Sequence, residues 1–301
     1  MQATAVQTAA PGLKPLALLE LLKPITWFPP MWAFGCGLVS SRATFEGRWW
    51  FVVGGIALAG PLLCGTSQVV NDWFDRHVDA VNEPNRPIPS GRVPGRIGLW
   101  FAILWSAVSI AVAAALGVWV LAASSLGLLL AWAYSAPPAR LKLNGWWGNG
   151  AAGLCYEGLP WFTAAAALSG TLPGWEIISL ALLYSVGAHG IMTLNDFKAL
   201  KGDHLLGVRS LPVQLGPERA ARVACWVMTL PQLAVIGLLV YWQAVPFAAA
   251  VGLGVLLQLL AMKKMLRDPE GLAPWYNGTG VTLYVLGMLV SAFALRLEVL
   301  A

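Results

Sequence analysis

The densest chemistry in the sequence is the run Asn71-Asp72-Trp73-Phe74-Asp75-Arg76-His77-Val78-Asp79. At about 100° per residue, Asp72, Asp75 and Asp79 fall within an arc of about 60° on one helix face. Like charges held that close repel. A divalent cation reverses the repulsion, and carboxylates beside an Asn carbonyl suit a hard, oxygen-seeking ion such as Mg²⁺. The competing reading is a solvated acidic helix end. Against it, the chain spends only 14 Asp and Glu in 301 residues, and this group closes an apolar run. A second stretch echoes the first: Asn195-Asp196-Phe197-Lys198-Ala199-Leu200-Lys201-Gly202-Asp203. Asp196 and Asp203, seven positions apart, are expected to face the same way. Mg²⁺ binds through few carboxylates plus substrate phosphates. Two such helix ends facing each other across a gap therefore suggest a diphosphate substrate.

Basic residues stand where that anion would need them. Asn82-Glu-Pro-Asn-Arg86-Pro-Ile-Pro-Ser90-Gly-Arg92 follows the first acidic run, and its prolines fold the chain back. Arg86 and Arg92 can then reach phosphate oxygens. Tyr134-Ser-Ala-Pro-Pro-Ala-Arg140-Leu-Lys142 follows a later apolar stretch, and Lys198 and Lys201 lie inside the second acidic run. Taken singly, each of these reads as a loop charge; their coincidence with the acids is what suggests a site.

These groups must be positioned by membrane helices. The chain is 58% hydrophobic and 11% charged, with a mean hydropathy of +0.68. Soluble domains carry about 25% charged residues. The composition excludes a soluble globular enzyme, a disordered chain and a nucleic-acid-binding domain. Nine apolar stretches run near 25–41, 51–71, 97–116, 118–136, 148–168, 175–195, 221–241, 244–262 and 279–297. Most approach the ~20 residues that cross ~30 Å of hydrocarbon as helix. They lack barrel-like alternation, so an all-α polytopic membrane protein of nine helices is expected. Pro29-Pro30 should kink the first or delay its start. With the N-terminus in the cytoplasm, 16 of the 19 Lys and Arg residues fall on the inner side. Only Arg42, Arg48 and Arg296 fall outside, a positive-inside bias. Both acidic runs are then cytoplasmic. Residues 12–24 read as an interfacial segment, residues 1–24 as a tail, and 25–301 as one domain. No basic-then-apolar leader opens the chain, so no cleaved signal peptide is expected.

Other features carry less. His189 lies seven residues before Asp196, about 10 Å deeper on the same face. Glu157 is an ionisable group within a span, which is a functional hypothesis by default. For both, an interhelical hydrogen bond is the competing reading. Gly148-Asn-Gly150-Ala-Ala-Gly153 fits a dinucleotide pattern but follows no strand, and close helix packing explains it better. The four cysteines are scattered and read as apolar filler. Asn277-Gly-Thr279 fits a glycosylation sequon, but on the expected cytoplasmic side.

Longer strings now carry a resemblance. The N-D-x-x-D-x-x-x-D element, the second Asp element and nine expected helices resemble the UbiA superfamily of intramembrane prenyltransferases. KPITWFPPMWAF (23–34), GTSQVVNDWFDRHVDAVNEPNRPIPSGR (65–92), HGIMTLNDFKALKGDHLLGVRSLP (189–212) and WYNGTGVTLYVLGM (275–288) are similar to its (bacterio)chlorophyll synthase branch, especially that of purple phototrophic bacteria. The resemblance spans nearly the whole chain after the first ten or so residues. It implies a central cavity under cytoplasmic cap loops. It also implies esterification of the propionate of bacteriochlorophyllide a by geranylgeranyl or phytyl diphosphate, with Mg²⁺, in a bacterial inner membrane. Position by position, Asn71, Asp72, Asp75 and Asp79 match the first metal–diphosphate motif. Asp196 and Asp203, after Asn195, match the outer acids of the second. Ala199 stands where that motif carries its middle acid, which weakens the second site or shifts diphosphate contacts to Lys198 and Lys201. Tyr134, Arg140 and Lys142 match anion contacts after the fourth helix, and His189 or Glu157 would orient the pigment.

Two alternatives stay open at this stage. Within the superfamily, the acceptor is haem or a quinone precursor. Outside it, the chain is a transporter or a non-catalytic pigment-binding protein. Transporters place functional charge near the bilayer midplane, whereas these acids cluster at helix ends.

Overall fold

A computed structural model describes residue 13 and residues 15–297; Lys14 and most of the expected N-terminal tail lie outside the described residues. The described chain is helical throughout, with one isolated bridge between Asn144 and Arg209. We number its helices α1 (Pro15–Leu21), α2 (Phe28–Ser40), α3 (Trp49–Asn82), α4 (Ile97–Leu116), α5 (Val118–Ser135), α6 (145–169), α7 (Trp175–Leu206), α8 (Leu211–Leu215), α9 (Pro217–Tyr241), α10 (Val245–Met265) and α11 (Pro269–Leu297).

Among the described residues, seven helices are long and apolar enough to cross a membrane: α3, α4, α5, α7, α9, α10 and α11. The other two expected stretches are helical but fall short of that standard. In α2 the helix starts late, at Phe28, with Pro29 and Pro30 in its first turn, and runs 13 residues. Proline is tolerated there because first-turn N–H groups have no helical acceptor. In α6, polar and glycine residues dilute the apolar run. Outward faces carry bare apolar side chains such as Trp100, Leu129, Trp226 and Leu260. Such surfaces need lipid rather than water as solvent.

Two packed regions make up the bundle. α7 and α9–α11 enclose the largest core, around Tyr184, Met228, Tyr276 and Tyr284. α1, α3 and α4 enclose a smaller one, where Ala17, Leu21 and Leu22 meet Val69, Val70 and Ala102. α2 and α6 join them, and close approach explains the glycines of α6. A Cβ on Gly153 would stand 2.6 Å from the Ser185 carbonyl oxygen of α7.

Both α3 and α6 contain a π-helical turn, Leu58–Cys64 around Pro61 and Leu154–Gly158 around Glu157. Such turns recur at functional sites. The loops after α5 and α7 are tied by two backbone bonds. Gly145 N–H donates to Arg209 O at 2.8 Å, and Arg209 N–H donates to Leu143 O at 2.9 Å. Arg42, Arg48 and Arg296 gather at the opposite end of the bundle, on Leu295 O, Leu168 O and the Phe45 ring.

Candidate functional site

α2, α3, α5, α6 and α7 enclose a chamber of about 450 Å³. One end carries Asn71 of α3, Tyr134 of α5 and Asn195 of α7. The two Asn-Asp elements therefore meet at one cavity. Away from that end the wall is mostly apolar, with small side chains such as Ala59, Ala123 and Gly127 and a few polar groups, Gln68 and Tyr156 among them.

The first element holds its three carboxylates on one helix, as the spacing requires, and each is met by a cation. Asp72, only 2% exposed, accepts from Lys23 Nζ at 2.6 Å and lies 3.4 Å from Arg86 Nη1. Asp79 accepts from Arg86 Nη1 at 2.9 Å. Asp75 pairs with Lys142 and accepts from Asn71 Nδ2 at 3.0 Å. Three cations offset the like-charge repulsion along the face. Burial works against the charge on Arg86, but Glu83, Asp72 and Asp79 outweigh it and raise its pKa. Burial pulls the Lys142 ammonium below the ordinary lysine range, against the raising effect of Asp75. Lys23 and Arg140 both hold left-handed backbone, with φ 45° and 39°. That conformation costs about 1–3 kcal/mol in a non-glycine residue and clusters at functional sites.

The second element is built differently. Asp196 accepts from Asn149 Nδ2 at 3.0 Å, and Asn195 Oδ1 accepts from Asn277 Nδ2 at 2.8 Å. Helical winding tightens to 3₁₀ over Phe197–Ala199 before α7 resumes and carries Asp203. Lys198 and Lys201 are exposed.

Other expected site residues lie elsewhere. Arg92 turns away from the acids, its Nη2 donating to Glu20 at 2.9 Å and to Asn85 O at 2.6 Å. His189 lines a separate, outward-facing cavity with Trp146 and Trp147. Glu157 is buried beside the chamber wall, with Oε2 unbonded. Neither His189 nor Glu157 lines the chamber. Sequence reasoning missed Lys23, Gln68, Asn149, Tyr156 and Asn277 as site residues. Their partners are 47 to 88 positions away in the chain for Lys23, Asn149, Asn277 and the Gln68–Tyr156 pair, and no spacing rule reaches that far.

The donor set can be tested against a metal. Among the described residues, no three His, Cys, Asp or Glu side chains converge closely enough to hold an ion. The available donors are all oxygens, and Asp72 Oδ2 is buried without a hydrogen-bond partner. This suits a hard cation that takes one or two carboxylates and fills its shell with substrate phosphates.

The chain belongs to the UbiA prenyltransferase family, which it matches over residues 26–279. It is 60% identical over 288 residues to the bacteriochlorophyll synthase 33 kDa chain of Cereibacter sphaeroides, covering 95% of each chain. It is 38% identical over 295 residues to the chloroplastic chlorophyll synthase of Oryza sativa, covering 92% of this chain and 76% of that protein. Its fold is similar to that of a UbiA homologue from Archaeoglobus fulgidus solved bound to DMAPP and Mg²⁺. The TM-score is 0.71 at 19% identity, over 93% of this chain and 99% of the other.

Proposed function

We propose that this chain esterifies the propionate carboxylate of bacteriochlorophyllide a with geranylgeranyl or phytyl diphosphate, releasing diphosphate, in bacteriochlorophyll biosynthesis. One observation carries the reading: two Asn-Asp helix ends open onto a single chamber whose remaining wall is mostly apolar. The prenyl tail occupies the apolar part, and the diphosphate lies against the acidic end. The greater identity to a bacteriochlorophyll synthase than to a chlorophyll synthase supports the choice of pigment.

Asp72, Asp75 and Asp79 with Asn71 on one side, and Asp196 and Asp203 with Asn195 on the other, are the groups that would hold Mg²⁺. When bound, that ion neutralises charge on the departing diphosphate. Lys23, Arg86, Arg140, Lys142 and the Tyr134 hydroxyl add donors to the same oxygens. The allylic C–O bond then stretches toward a carbocation. The apolar wall keeps water away from it. The acceptor is a carboxylate near neutral pH, so no side chain has to remove a proton.

In the membrane, α2 and α6 join the seven long apolar helices to make nine spans. The uneven Lys and Arg distribution supports a cytoplasmic N-terminus and cytoplasmic acidic elements. Residues 25–301 act as one domain beneath cap loops, with 1–24 as a tail and interfacial segment. The membrane is the inner membrane of a phototrophic bacterium.

The test is an acceptor panel. Membranes containing the protein receive labelled geranylgeranyl diphosphate and, separately, bacteriochlorophyllide a, chlorophyllide a, haem or a quinone precursor. Label should appear in the bacteriochlorophyllide ester and vanish with EDTA. Label in haem or the quinone precursor, with none in the chlorin, overturns the assignment.

A further inference from the structure

A polar pair stands inside the chamber, apart from the charged end, that the diphosphate does not need. Gln68 lies four residues before Asp72 on α3, about one helical turn or about 6 Å along the axis. Tyr156 comes from the π-helical turn of α6. Both line the chamber. Gln68 Nε2 donates to the Tyr156 hydroxyl at 3.3 Å, and Cys64 Sγ lies 3.8 Å from the same oxygen. Among the described residues, the Tyr156 hydroxyl makes no bond in which it donates to a protein oxygen or nitrogen, and the second amide hydrogen of Gln68 is also unassigned. Neutral donors left without acceptors beside an apolar cavity are costly unless something else accepts from them.

Resting on the reading above, we infer that Gln68 and Tyr156 form the binding site for the acceptor carboxylate. Three properties match. The first is depth. A nucleophile poised to react sits about 3–3.5 Å from the reacting carbon, and that carbon hangs just below the diphosphate, so one turn beneath Asp72 is the right level. The second is charge. An amide and a phenol hydrogen-bond a carboxylate without pairing it with a cation, so its lone pair stays reactive. The third is the absence of a base. A carboxylate has no proton to lose, and this pair offers none of the groups that would take one readily. In the step itself, a carboxylate lone pair forms the new C–O bond at C1 of the prenyl chain. The bond from C1 to the diphosphate oxygen breaks, and its electron pair leaves with diphosphate. No proton moves.

The test separates acceptor from donor. Tyr156→Phe and Gln68→Leu should each raise KM for bacteriochlorophyllide about tenfold, the loss of one hydrogen bond to a charged group, and leave KM for geranylgeranyl diphosphate unchanged. Gln68→Glu should raise the acceptor KM further by placing like charge beside the carboxylate. The pigment's propionate methyl ester, which cannot react, should inhibit wild type and variants with the same Ki, because it keeps the macrocycle and lacks the anion. The inference is overturned if acceptor KM stays flat, if both KM values rise together, or if the methyl ester loses affinity in step with the acid. An unchanged donor KM shows that the variants are folded. Absence of any pigment ester from the wild-type protein would instead sink the functional reading itself.

Discussion

The ends of α3 and α7 begin with the same two residues, yet they keep opposite electrostatic company. On α3, cations from two remote segments and from the loop that follows the helix reach the acids: Lys23 to Asp72, Lys142 to Asp75, and Arg86 to Asp79. On α7, the partners are neutral amides, Asn149 to Asp196 and Asn277 to Asn195. The difference suggests a division of labour. On the proposed reading, the first element brings its own positive charge to the chamber mouth and would grip phosphate with it. The second leaves carboxylate charge uncompensated, which is where an incoming cation gains most. Loss of the middle acid at Ala199 fits this view, because no cation stands there to be balanced.

The largest expected effect tests that division directly. Asp72→Ala should reduce ester formation by about 10³-fold or more, on the scale of removing a key electrostatic group from an active site. Lys23 and Arg86 then lose their shared partner, so the phosphate grip is disordered as well. Asp196→Asn should cost less, about 10²-fold, and its residual activity should demand more Mg²⁺. Turnover in membranes across a Mg²⁺ titration measures both, with the amount of inserted protein as control. Full activity in the Asp72 variant sinks the assignment of the first element. Equal losses with one common Mg²⁺ dependence would erase the distinction between the two.

A gain of function sharpens it. Ala199→Asp restores the acid that the second element lacks. Affinity for a hard cation rises with the number of ligand charges. The Mg²⁺ concentration for half activity should therefore fall several-fold, by about three- to tenfold, with turnover nearly unchanged. Lys198→Ala with Lys201→Ala should do little by comparison, because both side chains are exposed. A large loss in that double variant would show that these lysines, rather than Lys142 and Arg86, take the diphosphate on the α7 side.

What the sequence made legible followed from periodicity. The apolar runs marked the helices, and the Asp72, Asp75 and Asp79 spacing put three acids on one face before any coordinate was known. Pro29 and Pro30 announced the late start of α2. What stayed hidden depended on contacts between remote segments. Lys23 counted only as an inner-side charge, although its ammonium lies on Asp72, 49 positions away. Arg92 looked like a phosphate ligand because of its loop, and only the packing of α1 shows its guanidinium on Glu20. The π-helical turns left no pattern at all. A one-residue widening at Pro61 or Glu157 changes which side chains face inward, and a 3.6-residue period cannot reveal that. Tyr156, on the chamber wall, and Glu157, buried beside it, are neighbours in sequence and do unlike things.

The smallest expected effect concerns how α1 is held near the first element alone. The Glu20 carboxyl is held below its usual range by the hydrogen bond from Arg92 and by that residue's charge, with burial opposing. A depressed folded-state pKa means the pair stabilises docking above the ordinary carboxylate range, and the contribution is lost as pH falls through the depressed value. Glu20 is half exposed, so solvent screens the pair and the effect is a few-fold at most. Acidification should loosen α1, seen as lower hydrogen-exchange protection factors over Pro15–Leu21. Glu20→Gln should bring that lower protection to neutral pH and remove its acid dependence. Because Lys23 follows α1 directly, donor KM should rise slightly in the same variant, while the Mg²⁺ dependence set at α7 stays fixed. A shift in Mg²⁺ dependence instead would mean that the two elements respond as one unit, and the contrast drawn between them would fail.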